Sequence, residues 1–423
     1  MRPFLLSALL LGLTVPAFAQ SAPDAAVRQI VAGVPFKRAA AALDAGHDQW
    51  IADTITLTEI PAPPFKEAAR AKAFADMLRA RGLSDVEIDA EGNVLGLRKG
   101  TAAGPVVVVS AHLDTVFPEG TNVKVRREGE KLHAPGVGDD SAGLATILSL
   151  IDAMKAGDIR TRRDILFVGT VGEEGPGDLR GVRHLFTKGK YQGRIGAFFS
   201  IDGGGLQSVT TAGTGSKRYR ITYKGPGGHS YGAFGLVNPM GALAGTVTGL
   251  YQIKVPAKPK TTYSASVVGG GTSVNSIPQE VWLEVDMRSE SAAELAKVER
   301  QFLDVVARSV AAENAARDTR EGKVTADTKK IGDRPAGQTP ATSDIVRFTE
   351  AAYRTEGINV RQSASSTDSN LPMSLGIPAL TLPRGSSGNR AHAPDEWIGI
   401  EKADNVKVRR IVLAAILATA GAN

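Results

Sequence analysis

The 423-residue chain contains no cysteine. That excludes a disulfide framework, a thiolate nucleophile and any cysteine-ligated metal. A transition metal would have to be held by histidine, aspartate and glutamate. Histidine is scarce as well, with six in the whole chain, so each can be weighed individually. Aromatic residues make up only 5%, and the net charge is +6 with lysine and arginine scattered rather than striped. No basic patch interleaved with aromatics occurs, which argues against a nucleic-acid partner.

Long apolar runs are also missing once the first twenty residues are passed. Those residues, "MRPFLLSALLLGLTVPAFAQ", join a positive start to an apolar run and an Ala-Phe-Ala ending. They read as a secretory signal peptide over residues 1–20, cut near Ala19. The run is shorter than the ~20 residues that cross a bilayer. The expectation is a periplasmic or secreted protein that is free of the membrane once cleaved.

From about residue 48 to 213 helical and strand patterns alternate. "FKEAARAKAFADMLRARG" has apolar residues at helical spacing and stops at Gly82, and strands follow at "VEIDA", "NVLGLRK" and "VVVVSAH". "SAGLATILSLIDAMKAG" predicts a helix with Leu144, Ile147, Leu148 and Ile151 on one face, and strands return at "DILFVGTV" and "AFFSID". This alternation predicts an α/β fold, a mostly parallel sheet with helices on both faces. Near residue 214 the texture changes to period two in "SKRYRITYKG", "TYSASVVGG" and "EVWLEVDMRS", with an amphipathic helix from 292 onward. A joint at "PAGQTP" then leads back to α/β texture. The reading is a discontinuous catalytic domain, 21–213 and 335–423, holding an inserted α+β domain at 214–334.

Chemistry-bearing residues recur where apolar strands end. "VVVVSAH" leads to His112 and Asp114, "DILFVGTVGEE" to Glu173 and Glu174, and "AFFSID" to Asp202. "GVGDDSAG" sets Asp139 and Asp140 before a helix, and a late strand leads to His392. Taken singly each has an ordinary reading: a surface turn, a helix cap, an acidic loop. Together they converge, because ligands of open α/β sheets bind beyond the carboxyl ends of the strands. Two imidazoles and several carboxylates suit a two-metal site that clamps water and polarises a carbonyl. Consecutive glutamates can serve one site only where the strand has ended, since strand neighbours point to opposite faces. One could then bind metal while the other takes the water's proton.

"SAHLDTV", "GVGDDSAG", "GTVGEEGPGD", "SIDGG", "GPGGHS", "GGTSVNSIP", "VDMRS" and "GNRAHAPDE" occur in that order between residues 110 and 396, within a match that runs from about residue 50 to the C-terminus. As a series they resemble the di-zinc metallopeptidase family that includes carboxypeptidase G, peptidase T, carnosinase-type dipeptidases, aminoacylase and acetylornithine deacetylase. The resemblance implies two Zn2+ per chain, with Co2+ or Mn2+ as substitutes. His112, Asp139 and Asp202 would hold one ion, and Asp139, Glu174 and His392 the other. Glu173 would be the general base, and Asp114 would accept a hydrogen bond from the His112 ring. The peptide after the bridging Asp139 would be cis. The inserted domain would be a lid carrying a homodimer interface, with His229 reaching the partner's active site to stabilise an oxyanion. Asn275 and Arg288 would bind substrate. His47, His133 and His184 match no motif and read as structural or exposed.

Two departures stand out. Ser141 replaces the usual lysine or asparagine after the paired aspartates, removing a charge. Asp202 replaces the glutamate of the carboxypeptidase and deacetylase branches, as in the aminopeptidase and dipeptidase branch. The expected activity is hydrolysis of amide bonds in small peptides. The alternatives are an amidohydrolase acting on N-acyl amino acids or another non-peptide amide, and an inactive scaffold that retains the fold.

Overall fold

The computed structural model describes residues 22–83 and 85–422, so the expected signal peptide lies outside the described residues. Among them, no helix is long and apolar enough to cross a membrane.

The valine strand Val106–His112 is buried along its whole length. It lies between Ile165–Thr170 and Ile195–Gly204, parallel to both, and Ala379–Gly385 extends the parallel set. A strand covered on both faces is apolar at every position rather than alternate ones, which is why four valines run together. Burying each valine contributes about 1.5–3 kcal/mol. The flanks are antiparallel: Asp85–Ile88 and Val94–Arg98 at one edge, Ser208–Gly213 and Gly337–Gln338 at the other. The fold is α/β with a mostly parallel centre.

Helix Gly143–Ala156 crosses the sheet with Leu144, Ile147, Leu148 and Ile151 buried. Among the described residues four helices precede the first strand, at Ala22–Ala32, Val34–Ala45, His47–Thr58 and Ala68–Ala80. The strand–helix reading, which begins near residue 48, does not contain the first two. They are alanine-rich, and alanine forms helices without marking an apolar face.

A separate four-stranded antiparallel sheet is built from Thr261–Gly270, Glu280–Ser289, Gly215–Lys224 and Thr325–Arg334, in that order. Burial along Glu280–Ser289 alternates with period two. Tyr219, Ile221, Leu283, Val285 and Met287 form a second core with Phe302 of helix Ala292–Ala316 and Leu243 of helix Pro239–Leu250.

Candidate metal centre

Five segments deliver the predicted residues to one place. The valine strand ends at His112, whose ring is buried. Its Nδ1 donates to the Asp114 carbonyl oxygen at 3.0 Å, which leaves Nε2 facing Asp139 Oδ1 at 2.8 Å. An imidazole lone pair and a carboxylate that close require a shared cation, either a proton or a metal ion. Burial lowers the ring's proton affinity, but Asp114, Asp139 and Asp140 outweigh it and hold the His112 pKa well above the ordinary histidine range.

The carboxylate of Asp114 does something other than expected. It lies 3.6 Å from His112 Nδ1, beyond hydrogen-bond length. It accepts instead the backbone N–H groups of Glu173 and Glu174, at 3.0 and 2.8 Å. The strand Ile165–Thr170 has ended before those residues, so their amides lack a ladder partner and the buried carboxylate satisfies them. Both glutamates can then serve one site, as the sequence requires.

Asp139 and Asp140 sit in the turn before helix Gly143–Ala156, and the peptide between them is cis. Glu396 holds this turn by accepting the backbone N–H groups of Gly136, Gly138 and Asp139 at 2.8–2.9 Å. Asp140 Oδ2 accepts the His112 backbone N–H, and its Oδ1 is buried without a hydrogen-bond partner. Gly143 has to be glycine, because a Cβ there would meet Asp140 Oδ1 and the Ile201 carbonyl at 2.2 Å. Ser141 is buried beside it, its hydroxyl also without a partner.

His392, on the loop after Ala379–Gly385, places Nε2 2.7 Å from Glu174 Oε1 and 3.3 Å from Asp139 Oδ2. Asp202, near the end of Ile195–Gly204, has Oδ1 3.9 Å from His112 Nε2. The structure therefore brings together His112, Asp139, Glu174, Asp202 and His392, with Glu173 on the same cavity of about 700 Å³. Donor atoms within 4.8 Å of one another also group as His112–Asp139–Glu174 and as His112–Asp140–Asp202. The second group gives Asp140, unassigned in the sequence reading, a place beside the ligands.

The electrostatics fit a cation. Burial and the neighbouring Asp139 push the Asp202 carboxyl up to about 7. Burial, opposed by Arg334 and aided by Glu174, raises Glu173 well above the usual carboxylate range. Contacts with Asp139 and Glu174 lift His392 to about 10. Carboxylates that resist ionising beside imidazoles that resist losing a proton mark a cluster short of positive charge. Two imidazoles with three carboxylates form a donor set that a borderline divalent ion fills.

The lid-type residues divide. Arg288 lines the same cavity, its Nε 2.7 Å from Asp286. His229 and Asn275 line a different cavity, and the exposed His229 ring accepts the N–H groups of Tyr231 and Gly232. His47 is buried, as a structural histidine would be.

Sequence reasoning missed two arginines. Arg384 Nη1 lies 2.7 Å from Asp202 Oδ1 and 3.3 Å from Asp139 Oδ1. Arg334 Nη1 lies 3.0 Å from Glu173 Oε1. Arginine is usually exposed, so nothing about its type flags it. The usable signal for Arg384 was its position, directly after the apolar strand "IPALTLP".

Comparison with known proteins identifies the family and the fold. An uncharacterized Bacillus subtilis protein, YqjE, is 26% identical over 341 residues, covering 78% of this chain and 86% of its own. A Staphylococcus aureus tripeptidase structure superposes with a TM-score of 0.72 at 20% identity, covering 88% of this chain and 99% of that one. A dinuclear metal-binding peptidase of the M20 family from Bacillus subtilis gives 0.63 at 21% identity, covering 89% and 99%. The sequence pattern described as "Peptidase family M20/M25/M40" matches residues 108–418. The chain belongs to this family and is a metal-dependent hydrolase.

Proposed function

We propose that this protein is an exported di- or tripeptidase that holds two zinc ions and uses Glu173 as its general base. The observation that carries the reading is the meeting of His112, Asp139, Glu174, Asp202 and His392 within 2.7–3.9 Å contacts, with a further glutamate on the same cavity. His112, Asp139 and Asp202 would hold one ion, and Asp139, Glu174 and His392 the other, with Asp139 shared. Zinc bound there supplies an acidified water and Lewis-acid polarisation of the substrate carbonyl.

Glu173 takes the proton of the attacking water and returns it to the leaving amine. Arg288, across the cavity, receives the substrate carboxylate. The sheet containing Gly215–Lys224 and Thr325–Arg334 acts as the lid and carries a homodimer interface. His229 and Asn275, which line a cavity other than that of the metal cluster, serve the partner's site, His229 by stabilising the oxyanion. Export rests on the apolar N-terminal run of the sequence.

The test is a panel of dipeptides, tripeptides and N-acyl amino acids, assayed on metal-reconstituted protein with chelator as control. Chelator-sensitive turnover of free peptides supports the reading. Turnover confined to N-acyl amino acids would replace the peptidase assignment with a deacylase.

A further inference from the structure

Arg334 is the last residue of strand Thr325–Arg334, which belongs to the four-stranded sheet, yet its guanidinium lies inside the metal-centre cavity. It is buried, and both terminal nitrogens are engaged. Nη1 contacts Glu173 Oε1 at 3.0 Å and Ser366 Oγ at 3.2 Å, and Nη2 donates to the Glu173 carbonyl oxygen. One arginine thus grips the same glutamate by side chain and by backbone, fixing two points of the residue. It occupies one carboxylate oxygen and leaves the other for proton transfer.

The neighbouring contacts run between the same two parts. The backbone N–H of Asp333 donates to the Asp178 carboxylate at 3.0 Å, and the Asp333 carbonyl accepts from Arg183 Nη2 at 2.9 Å. From strand Gly215–Lys224, Arg218 Nη1 donates to the Gly175 carbonyl at 3.3 Å. The four-stranded sheet therefore holds the chain from Glu173 onward at Glu173, Gly175, Asp178 and Arg183.

We propose that Arg334 is a positioning residue that couples the sheet to the general base, so that Glu173 is aligned only while the sheet is docked on this loop. The inference rests on the reading of Glu173 as the base. It differs from a substrate-binding role in that three of the guanidinium's N–H groups meet Glu173 and Ser366, and a substrate-binding arginine would show its loss in KM rather than kcat. Removing the guanidinium then acts on the chemical step, since misplacing a catalytic group by ~1 Å costs on the order of 10²-fold in rate.

The experiment compares wild type with Arg334→Met, Arg334→Lys, Glu173→Gln and the Glu173→Gln/Arg334→Met double variant. All are full-length and metal-loaded, and each is assayed on the panel member that wild type turns over fastest. The expected result for Arg334→Met is a kcat loss of ~10²-fold with KM within about threefold and metal content unchanged. Arg334→Lys recovers part of the loss, and Arg334→Met adds nothing to Glu173→Gln. If Arg334→Met does not fold, the lysine variant and its kcat-against-KM split decide the question. Turnover near wild type in Glu173→Gln would remove the base reading itself. An inactive Glu173→Gln beside an Arg334→Met that raises KM alone would leave the base standing and overturn this inference. Loss of metal from Arg334→Met would overturn it as well, making the arginine a support of the ligand loop.

Discussion

Asp114 Oδ2 accepts the backbone N–H of Glu174 at 2.8 Å, while its other oxygen takes that of Glu173 at 3.0 Å. One buried carboxylate thus fixes the backbone of both glutamates from below, and the ring of His112 packs against the same residue through its carbonyl. Asp114→Asn turns one of these acceptors into a donor facing an N–H. The expected outcome is metal affinity reduced about 10–100-fold, as when partners that orient ligands are lost. Stability should fall by about 1–3 kcal/mol from the backbone donor left unsatisfied. Chelator competition and thermal melts measure the two effects, and a variant matching wild type in both would dismiss the role.

Removing metal should destabilise the protein as well as silence it. Burial and neighbouring carboxylates hold Asp140, Glu173 and Asp202 above the usual carboxylate range, and Arg334 and Arg384 offset only part of that crowding, so a bound cation adds stability. Adding zinc at 100 to 1,000 times its dissociation constant should stabilise the fold by about 2.7–4.1 kcal/mol. Differential scanning calorimetry with and without chelator reads this directly. Equal melting temperatures would contradict a metal site at these residues.

His47 supplies a pH dependence away from the metal centre. Arg409 Nη2, which can only donate, lies 2.9 Å from His47 Nδ1, and His47 Nε2 lies 2.9 Å from the Ile400 carbonyl. The ring is therefore neutral with its proton on Nε2. Burial lowers its pKa, and the Arg409 charge lowers it further against the opposing carbonyl contact. With the folded pKa below the unfolded value of about 6.5, the stability due to this group is present above that pH. It is lost as pH falls from there toward the folded pKa. In excess chelator, wild type should lose more stability than His47→Gln between about pH 7 and 5. Parallel stability curves for the two would refute the assignment.

The separation of His229 from the metal cluster makes a complementation test possible. In a two-fold dimer, mixing His229→Ala with Glu173→Gln chains creates hybrids in which one site holds an intact base and an intact partner histidine. With random exchange, activity should return to roughly a quarter of wild type. If His229 acts within its own chain, or not at all, mixing restores nothing beyond the sum of the two variants.

Much of this site was legible because its residues stand at strand ends, where the apolar pattern stops at a residue type that does not belong in a core. His112 after four valines and Asp202 after "AFFSI" are of that kind. The paired glutamates were legible because the glycine-rich loop after Thr170 releases them from strand alternation. What escaped has a different physical basis. Arg334 and Arg384 acquire meaning only from the carboxylates they meet, 161 and 182 residues away along the chain. Glu396 was visible in its motif, but its work is done through three backbone N–H groups, which no side-chain pattern reveals. Asp114 was placed near His112 correctly, yet its carboxylate serves the glutamate backbone because those amides had no other partner.

The account turns on Glu173, the one carboxylate of the cavity that Arg334 holds and that the expected metal sets leave free. The most direct measurement is turnover of Glu173→Gln together with metal content determined on the same sample. The account predicts two metal ions per chain, as in wild type, and a kcat lowered by about 10²–10⁴-fold. Full metal content with kcat near the wild-type value would contradict it.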